Sequence, residues 1–375
     1  MNFDLSEEQQ VIMDLARQIF EEQSTTARVK SVERADGFDR DLWAQLAGAG
    51  IPALCVPEDQ GGSGFGAVEL SLALMGQGRA VALVPLWTVG VASLALADFG
   101  TNEQRAARLP GMASGDTVAT LALAESGAND PLRPSVSAEV SAGKVRLRGH
   151  KPAVPWASHA SFALVPVSLS TGQPAVAIVD LDSPGVTLTP VATTNHEPHA
   201  HLDLDLEIPV SSLLGHRDDG GTDHDGGEIL RSIFEHAVVA LASMQVGVAE
   251  GAVAMTATHL STRQQFGKPL AAFQATTQRA ADGYITTEAM RVTALNAAWR
   301  LAEGFDARRD VSVAAYWGSE GAQQVVTAAQ HLHGGIGADI DYPVHRYFLW
   351  GIQLANLLGS TSAHLARLGN LIARS

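Results

Sequence analysis

The chain has 375 residues, enough for two or three domains and a large core. Apolar residues make up 46% and charged residues 17%, the composition of an ordinary globular protein. The net charge of −15 argues against nucleic acid, which needs a basic surface, but leaves room for an anionic ligand in a local basic pocket.

Residues 1–117 read as helices. Leu5, Ile12, Leu15, Ala16 and Ile19 fall at helical spacing, and Ser6 followed by Gln9 has the form of a capping box. Segments 42–46, 70–74 and 89–96 continue the pattern, and the glycine-rich loop 58–66 interrupts it as a turn. From about Val118 the period changes. Short runs at 118–123, 145–148, 162–165 and 176–179, punctuated by Gly, Pro and Ser, predict a compact β domain over 118–222. Leu202, Leu204, Leu206 and Ile208 alternate with His201, Asp203, Asp205 and Glu207, as on a half-exposed strand. His196, His199 and His201 invite a metal reading, but the alternation leaves them on a solvated face with no cysteine partner.

The run Gly220-Gly-Thr-Asp-His-Asp-Gly-Gly227 is the clearest linker. Four helical stretches follow, at roughly 228–264, 271–303, 309–332 and 343–373, and abundant alanine and glycine suit close packing in a bundle. Ile285, Ala289, Val292, Leu295 and Trp299 are the expected buried stripe of the second. The predicted fold is therefore α+β: a helical domain 1–117, a β domain 118–222 and a four-helix bundle 223–375.

Two glycine turns organise the last third. In Arg263-Gln-Gln-Phe-Gly-Lys-Pro-Leu-Ala-Ala-Phe-Gln274 a long helix closes, breaks at Gly267 and Pro269, and restarts at Phe273. That turn holds a guanidinium able to pair with a phosphate in two-pronged fashion, next to a flat aromatic. In His333-Gly-Gly-Ile-Gly337 three glycines let backbone N–H groups approach an anion closely.

With these turns in this order, the chain resembles the acyl-CoA dehydrogenase family over nearly its whole length. Leu5-Ser-Glu-Glu-Gln-Gln10, Val56-Pro-Glu-Asp-Gln-Gly-Gly62 and Tyr342-Pro343 stand where that family has them. The resemblance implies α,β-dehydrogenation of an acyl-CoA thioester. A carboxylate takes the α proton, FAD accepts the β hydride, and electron-transfer flavoprotein is the implied acceptor. It also implies that Arg263, Phe266, Gln274, His331, Gly334 and Gly335 bind FAD across a dimer interface, with His331 standing where the family has glutamine.

The family's catalytic glutamate has no counterpart. Its two usual places are occupied here by Leu358 and Ala237, the latter followed by Val238 where an arginine is expected. Glu235 and Glu228 are the nearest carboxylates, and Glu235 lies about 200° round the helix from Ala237. The flavin-facing segment reads Ala124-Glu125-Ser126-Gly127, with alanine at the hydroxyl position. The next strand carries Ala153 and Pro155 where an aromatic and a hydroxyl are usual, although Lys151, Val154, Ala157 and Ala160 fit a subgroup, and Trp156 reads as a packing residue. Ser360-Thr361-Ser362 replaces the family's Thr-x-Gln.

Contributions made to a neighbour's flavin are therefore kept, and those made to the chain's own are lost. The expectation is a non-catalytic subunit of a heteromeric, sterol side-chain type acyl-CoA dehydrogenase, a heterotetramer completed by a homologous subunit. Two alternatives are a self-sufficient homo-oligomer with a displaced base and a redox-inactive CoA-ligand or protein-binding scaffold. Cys55 is the only cysteine, no apolar run is expected to span a bilayer, and the N-terminus is amphipathic, so a cytoplasmic location away from membranes is expected.

Overall fold

The computed structural model describes residues 4–127, 130–216 and 224–373. Six helices come first: α1 (Glu7–Gln23), α2 (Thr26–Arg34), α3 (Arg40–Gly48), α4 (Ala67–Ala80), α5 (Leu86–Phe99) and α6 (Asn102–Ala113). Helix α1 starts on the expected capping box: Gln9 N–H donates to Ser6 Oγ at 3.1 Å, and Ser6 N–H donates to Gln9 Oε1 at 3.0 Å. Its buried edge is Ile12, Ala16 and Phe20, one residue per turn.

The strands are β1 (Ala119–Leu121), β2 (Ser137–Ser141), β3 (Lys144–Pro155), β4 (Phe162–Leu169), β5 (Pro174–Asp180), β6 (Val186–Val191) and β7 (His199–Pro209). They form one sheet in the order β1-β4-β2-β3-β7-β6, with β5 also paired to β4. The β7 alternation holds, with Leu202, Leu204, Leu206 and Ile208 buried in the sheet's core. The solvated-face reading fails for His199. It is buried, its Nδ1 2.9 Å from the Ala153 carbonyl oxygen and its Nε2 3.0 Å from Glu197 Oε1.

Then come α7 (Gly226–Thr262), the two-residue strands β8 (Gln264–Gln265) and β9 (Lys268–Pro269), α8 (Gln274–Ala302), α9 (Arg308–Tyr316), α10 (Ala322–His333), α11 (Val344–Leu354) and α12 (Thr361–Ala373). Of the expected linker, residues 220–223 lie outside the described residues, and α7 begins at Gly226. Four expectations are corrected here. The stretch 309–332 is interrupted by a π-helical turn at Trp317–Gly321, and 343–373 breaks into two helices around Gly359, whose φ is +126°. The predicted stripe of α8 is not the buried face: Ile285 is 65% and Val292 48% exposed and Ala289, Leu295 and Trp299 are half-buried, while Gly283, Thr287, Met290, Ala294 and Ala297 are buried. Finally, α7 is long and apolar enough to cross a membrane, but 83% of its most apolar window is buried inside the protein. Core packing therefore accounts for that composition.

Internal contacts group the chain into two compact units. One comprises Met1–Val32, Ser71–Ala82 and Val238–Ser375; the other comprises Glu33–Leu70 and Leu83–Ala237. In the first, α4 and α7 meet at glycines. A Cβ on Gly78 would lie 2.0 Å from the Met244 carbonyl oxygen, and one on Gly247 2.0 Å from that of Met75. Glu250 on α7 ties the neighbouring helices, with Arg291 at 2.5 Å, Arg17 at 3.4 Å and Arg79 at 3.6 Å. In the second unit the sheet supplies the core, and Arg108 pairs with Asp180 at 2.7 Å while lying over the Phe162 ring.

Candidate functional site

Helix α7 ends where its apolar run ends. Arg263 N–H donates to the His259 carbonyl at 2.9 Å, closing the last turn, and Leu270 N–H donates to the Arg263 carbonyl at 2.9 Å. Between them the chain makes a hairpin, Gln264 opposite Pro269 and Gln265 opposite Lys268. Its two turn residues, Phe266 and Gly267, have φ of +51° and +78°, the left-handed pair of a tight hairpin turn. Glycine takes that geometry freely. Phenylalanine does so at a cost of about 1–3 kcal/mol, and its ring is 91% exposed, edge-on to Phe273 at 6.2 Å. A solvated aromatic contributes nothing to a core.

The second turn caps α10. Gly334 has φ +64° and its N–H donates to the His331 carbonyl, while a Cβ at Gly334 or Gly335 would meet no atom within 4 Å. Arg263, Phe266, Gln274, His331, Gly334 and Gly335 are all exposed. The two turns are linked by an aromatic stack, His259 on His333 with ring centroids 4.4 Å apart and planes inclined by 28°. Sequence reasoning missed this stack.

Of the two places of a catalytic base, Leu358 borders a cavity whose lining does not include Ala237; Val238, which shares it, stands where an arginine is expected. Leu358, in the break between α11 and α12, and Val238 on α7 line that cavity of about 20 Å³, which is room for a single water. Its lining includes no carboxylate. The titratable member is His364, whose pKa burial pushes down to about 4, so its imidazole is neutral near pH 7. Ala237 is fully buried, Glu235 half-buried and Glu228 exposed. With α7 continuous through this region, Glu235 stays on the opposite side of the helix from Ala237.

In the other unit, the Ala124–Gly127 segment is held from beneath. The Glu125 carboxylate is fully buried, with Lys151 Nζ on one oxygen and Ser135 Oγ on the other. Lys151 is equally buried, and loss of hydration pushes its pKa down against the opposing pull of Glu125. Immediately after it, β3 bulges against β7 between Lys151 and Val154. Ala153 (φ +45°) and Trp156 (φ +57°) adopt left-handed backbone there. Ala153 is braced on both sides, its N–H donating to His201 Nδ1 at 3.2 Å and its carbonyl facing His199. Trp156 is fully buried, edge-on to Phe38 at 5.6 Å, as a packing residue should be. The histidines thus support a bulge. Among the described residues, no cluster of three or more metal-ligating side chains occurs.

Family models agree with this geometry. Residues 6–116 match the acyl-CoA dehydrogenase N-terminal domain and residues 224–369 the acyl-CoA dehydrogenase C-terminal domain. The chain belongs to the acyl-CoA dehydrogenase family. Its helical ends and central β sheet are that family's α+β fold, and its cofactor is FAD. Among its relatives is acyl-CoA dehydrogenase FadE27 of Mycobacterium tuberculosis, 34% identical with both chains covered in full. FadE28 of the same organism is 34% identical over 98% of each chain. Among solved structures, a variant of the Tcur3481–Tcur3483 steroid ACAD aligns with 42% identity over 98% of each chain and a TM-score of 0.90. The ChsE4–ChsE5 complex from Mycobacterium tuberculosis aligns with 34% identity over the whole of both chains and a TM-score of 0.92.

Arg263, Gly334 and Gly335 are exposed, and the Gly334 N–H is given to the His331 carbonyl. At the β-domain edge Ala124 is half-buried, Ser126 is exposed and Trp156 is sealed inside.

Proposed function

We propose that this chain is the non-catalytic subunit of a heteromeric acyl-CoA dehydrogenase, lending Arg263, Phe266, Gln274, His331, Gly334 and Gly335 to the FAD of a homologous, glutamate-bearing subunit. One observation carries the reading: Leu358 borders a cavity of about 20 Å³ lined by no carboxylate and Ala237 is fully buried, while the Arg263 turn stands exposed. Without a base, this chain cannot take the α proton of an acyl-CoA itself. FAD supplies the hydride acceptor, and this chain's residues bind and orient its diphosphate end. The 34% and 42% identities to chains of complexes described as ChsE4–ChsE5 and as a steroid ACAD support a homologous partner and a steroid-type acyl-CoA substrate. The division into 1–117, 118–222 and 223–375, a heterotetramer, electron-transfer flavoprotein as acceptor and a cytoplasmic location belong to the same proposal.

The test is expression with and without a homologous subunit that carries the glutamate. Alone, the chain is expected to purify without flavin absorbance and to leave acyl-CoA unreacted. Co-expressed, it is expected in a yellow complex whose flavin bleaches on addition of substrate. A yellow, substrate-reducible protein from this chain alone would end the proposal.

Phe266 gives a second prediction with opposite signs. Replacing it with Asn, which tolerates left-handed backbone, is expected to leave the chain as stable or to gain about 1 kcal/mol. The heteromer should nevertheless hold FAD less tightly. Thermal melting and flavin titration read the two effects separately; tighter or unchanged FAD binding would assign the ring no role at the cofactor.

A further inference from the structure

We infer that the His259–His333 ring stack is a positioning device that holds the two flavin-contacting turns in register. This rests on the reading that Arg263 and the Gly334–Gly335 turn contact the same flavin diphosphate. The turns are about seventy residues apart in sequence, and a diphosphate is met by both only if their relative placement is fixed to a fraction of an ångström.

The stack is placed to do that. His259 lies on the last turn of α7, and its carbonyl accepts the Arg263 N–H at 2.9 Å, so a shift of His259 carries Arg263 with it. His333 is the last residue of α10, and Gly334 follows in the left-handed region. The His333 ring is anchored by Nδ1, which donates to the Ala329 carbonyl at 2.8 Å, and is almost wholly buried. Tyr342 completes the cluster, its ring centroid 5.3 Å from that of His333 and 6.5 Å from that of His259. Burial lowers the proton affinity of both imidazoles, and His333 and Arg263 lower that of His259 further. Two neutral rings stack face to face where two imidazolium ions would repel. Neither histidine is one of the groups placed against the flavin, so each acts through its neighbour.

The experiment compares His259→Ala, His259→Phe and Arg263→Ala in the heteromer formed with the glutamate-bearing subunit, reading the FAD dissociation constant and the melting temperature. His259→Ala is expected to weaken FAD binding roughly two- to twelvefold, the range of an aromatic pair, with little change in melting temperature. His259→Phe keeps a flat ring and no proton, and is expected to restore binding to within about twofold. If Arg263→Ala weakens binding while His259→Ala does not, the stack has no positioning role and the proposed function stands. If His259→Phe binds as poorly as His259→Ala, stacking is not the cause. If Arg263→Ala leaves FAD binding intact, the shared-flavin reading and this inference fall together.

Discussion

Replacing Arg263 with alanine in the assembled heteromer is expected to raise the FAD dissociation constant about ten- to a hundredfold, the value of a charge-assisted hydrogen bond worth roughly 1.5–3 kcal/mol. The effect should be confined to the cofactor. Arg263 is exposed, so its loss should move the stability of the chain by less than about 0.5 kcal/mol. Arg263→Lys is expected to recover only part of the loss, because a single ammonium cannot reproduce a planar two-pronged contact. The wild-type advantage should also shrink as salt is raised, since the contact is made at an open surface. Gel filtration followed by flavin absorbance gives occupancy, and fluorescence titration of the stripped complex gives the constant. Unchanged occupancy in the alanine variant, at low salt and equal melting temperature, would remove the phosphate from the account of this turn.

Much of this arrangement was legible from local pattern. The Ser6–Gln9 cap, the β7 alternation and the break after Arg263 depend on residues a few positions apart, and each formed as the spacing predicts. What periodicity could not give was direction. A stripe through Ile285 and Val292 says that α8 has an apolar face, but not that the same chain covers it. Here the inner face is the one made of Gly283, Thr287, Met290 and alanines, because small residues let helices pack closely and larger ones would hold them apart. The absence of a base at Leu358 could be read by counting, yet only the fold brings Leu358 and Val238 to one cavity and puts His364 beside them. The His259–His333 stack and the Lys151–Glu125 pair were beyond reach for the same reason. Each joins residues on different elements, and nothing in either residue's own neighbourhood announces the other.

That buried pair is where the largest loss of stability is expected. Lys151→Met removes the charge while keeping an unbranched chain of similar length, and it leaves the Glu125 carboxylate in the interior with only the Ser135 hydroxyl. Removing one partner of a buried pair costs about 3–5 kcal/mol, because the remaining ion has neither water nor a counter-charge. Removing both is a different matter. Lys151→Met combined with Glu125→Leu takes the desolvated charges away altogether, and is expected to return to within about 1–2 kcal/mol of the wild type. Calorimetry or urea melts of the two single variants and the double variant therefore form a cycle whose coupling should be large and favourable. The double variant separates stability from shape. If the pair also fixes the Ala124–Gly127 turn and the bulge after Lys151, the stable double variant should still become more susceptible to proteolysis within 122–160, where Ala153 and Trp156 hold left-handed backbone. A Lys151→Met variant as stable as the wild type would mean that the two side chains are not an ion pair in the folded protein, and the polar brace beneath this edge of the sheet would have to be assigned to Ser135 and the histidines of β7 alone.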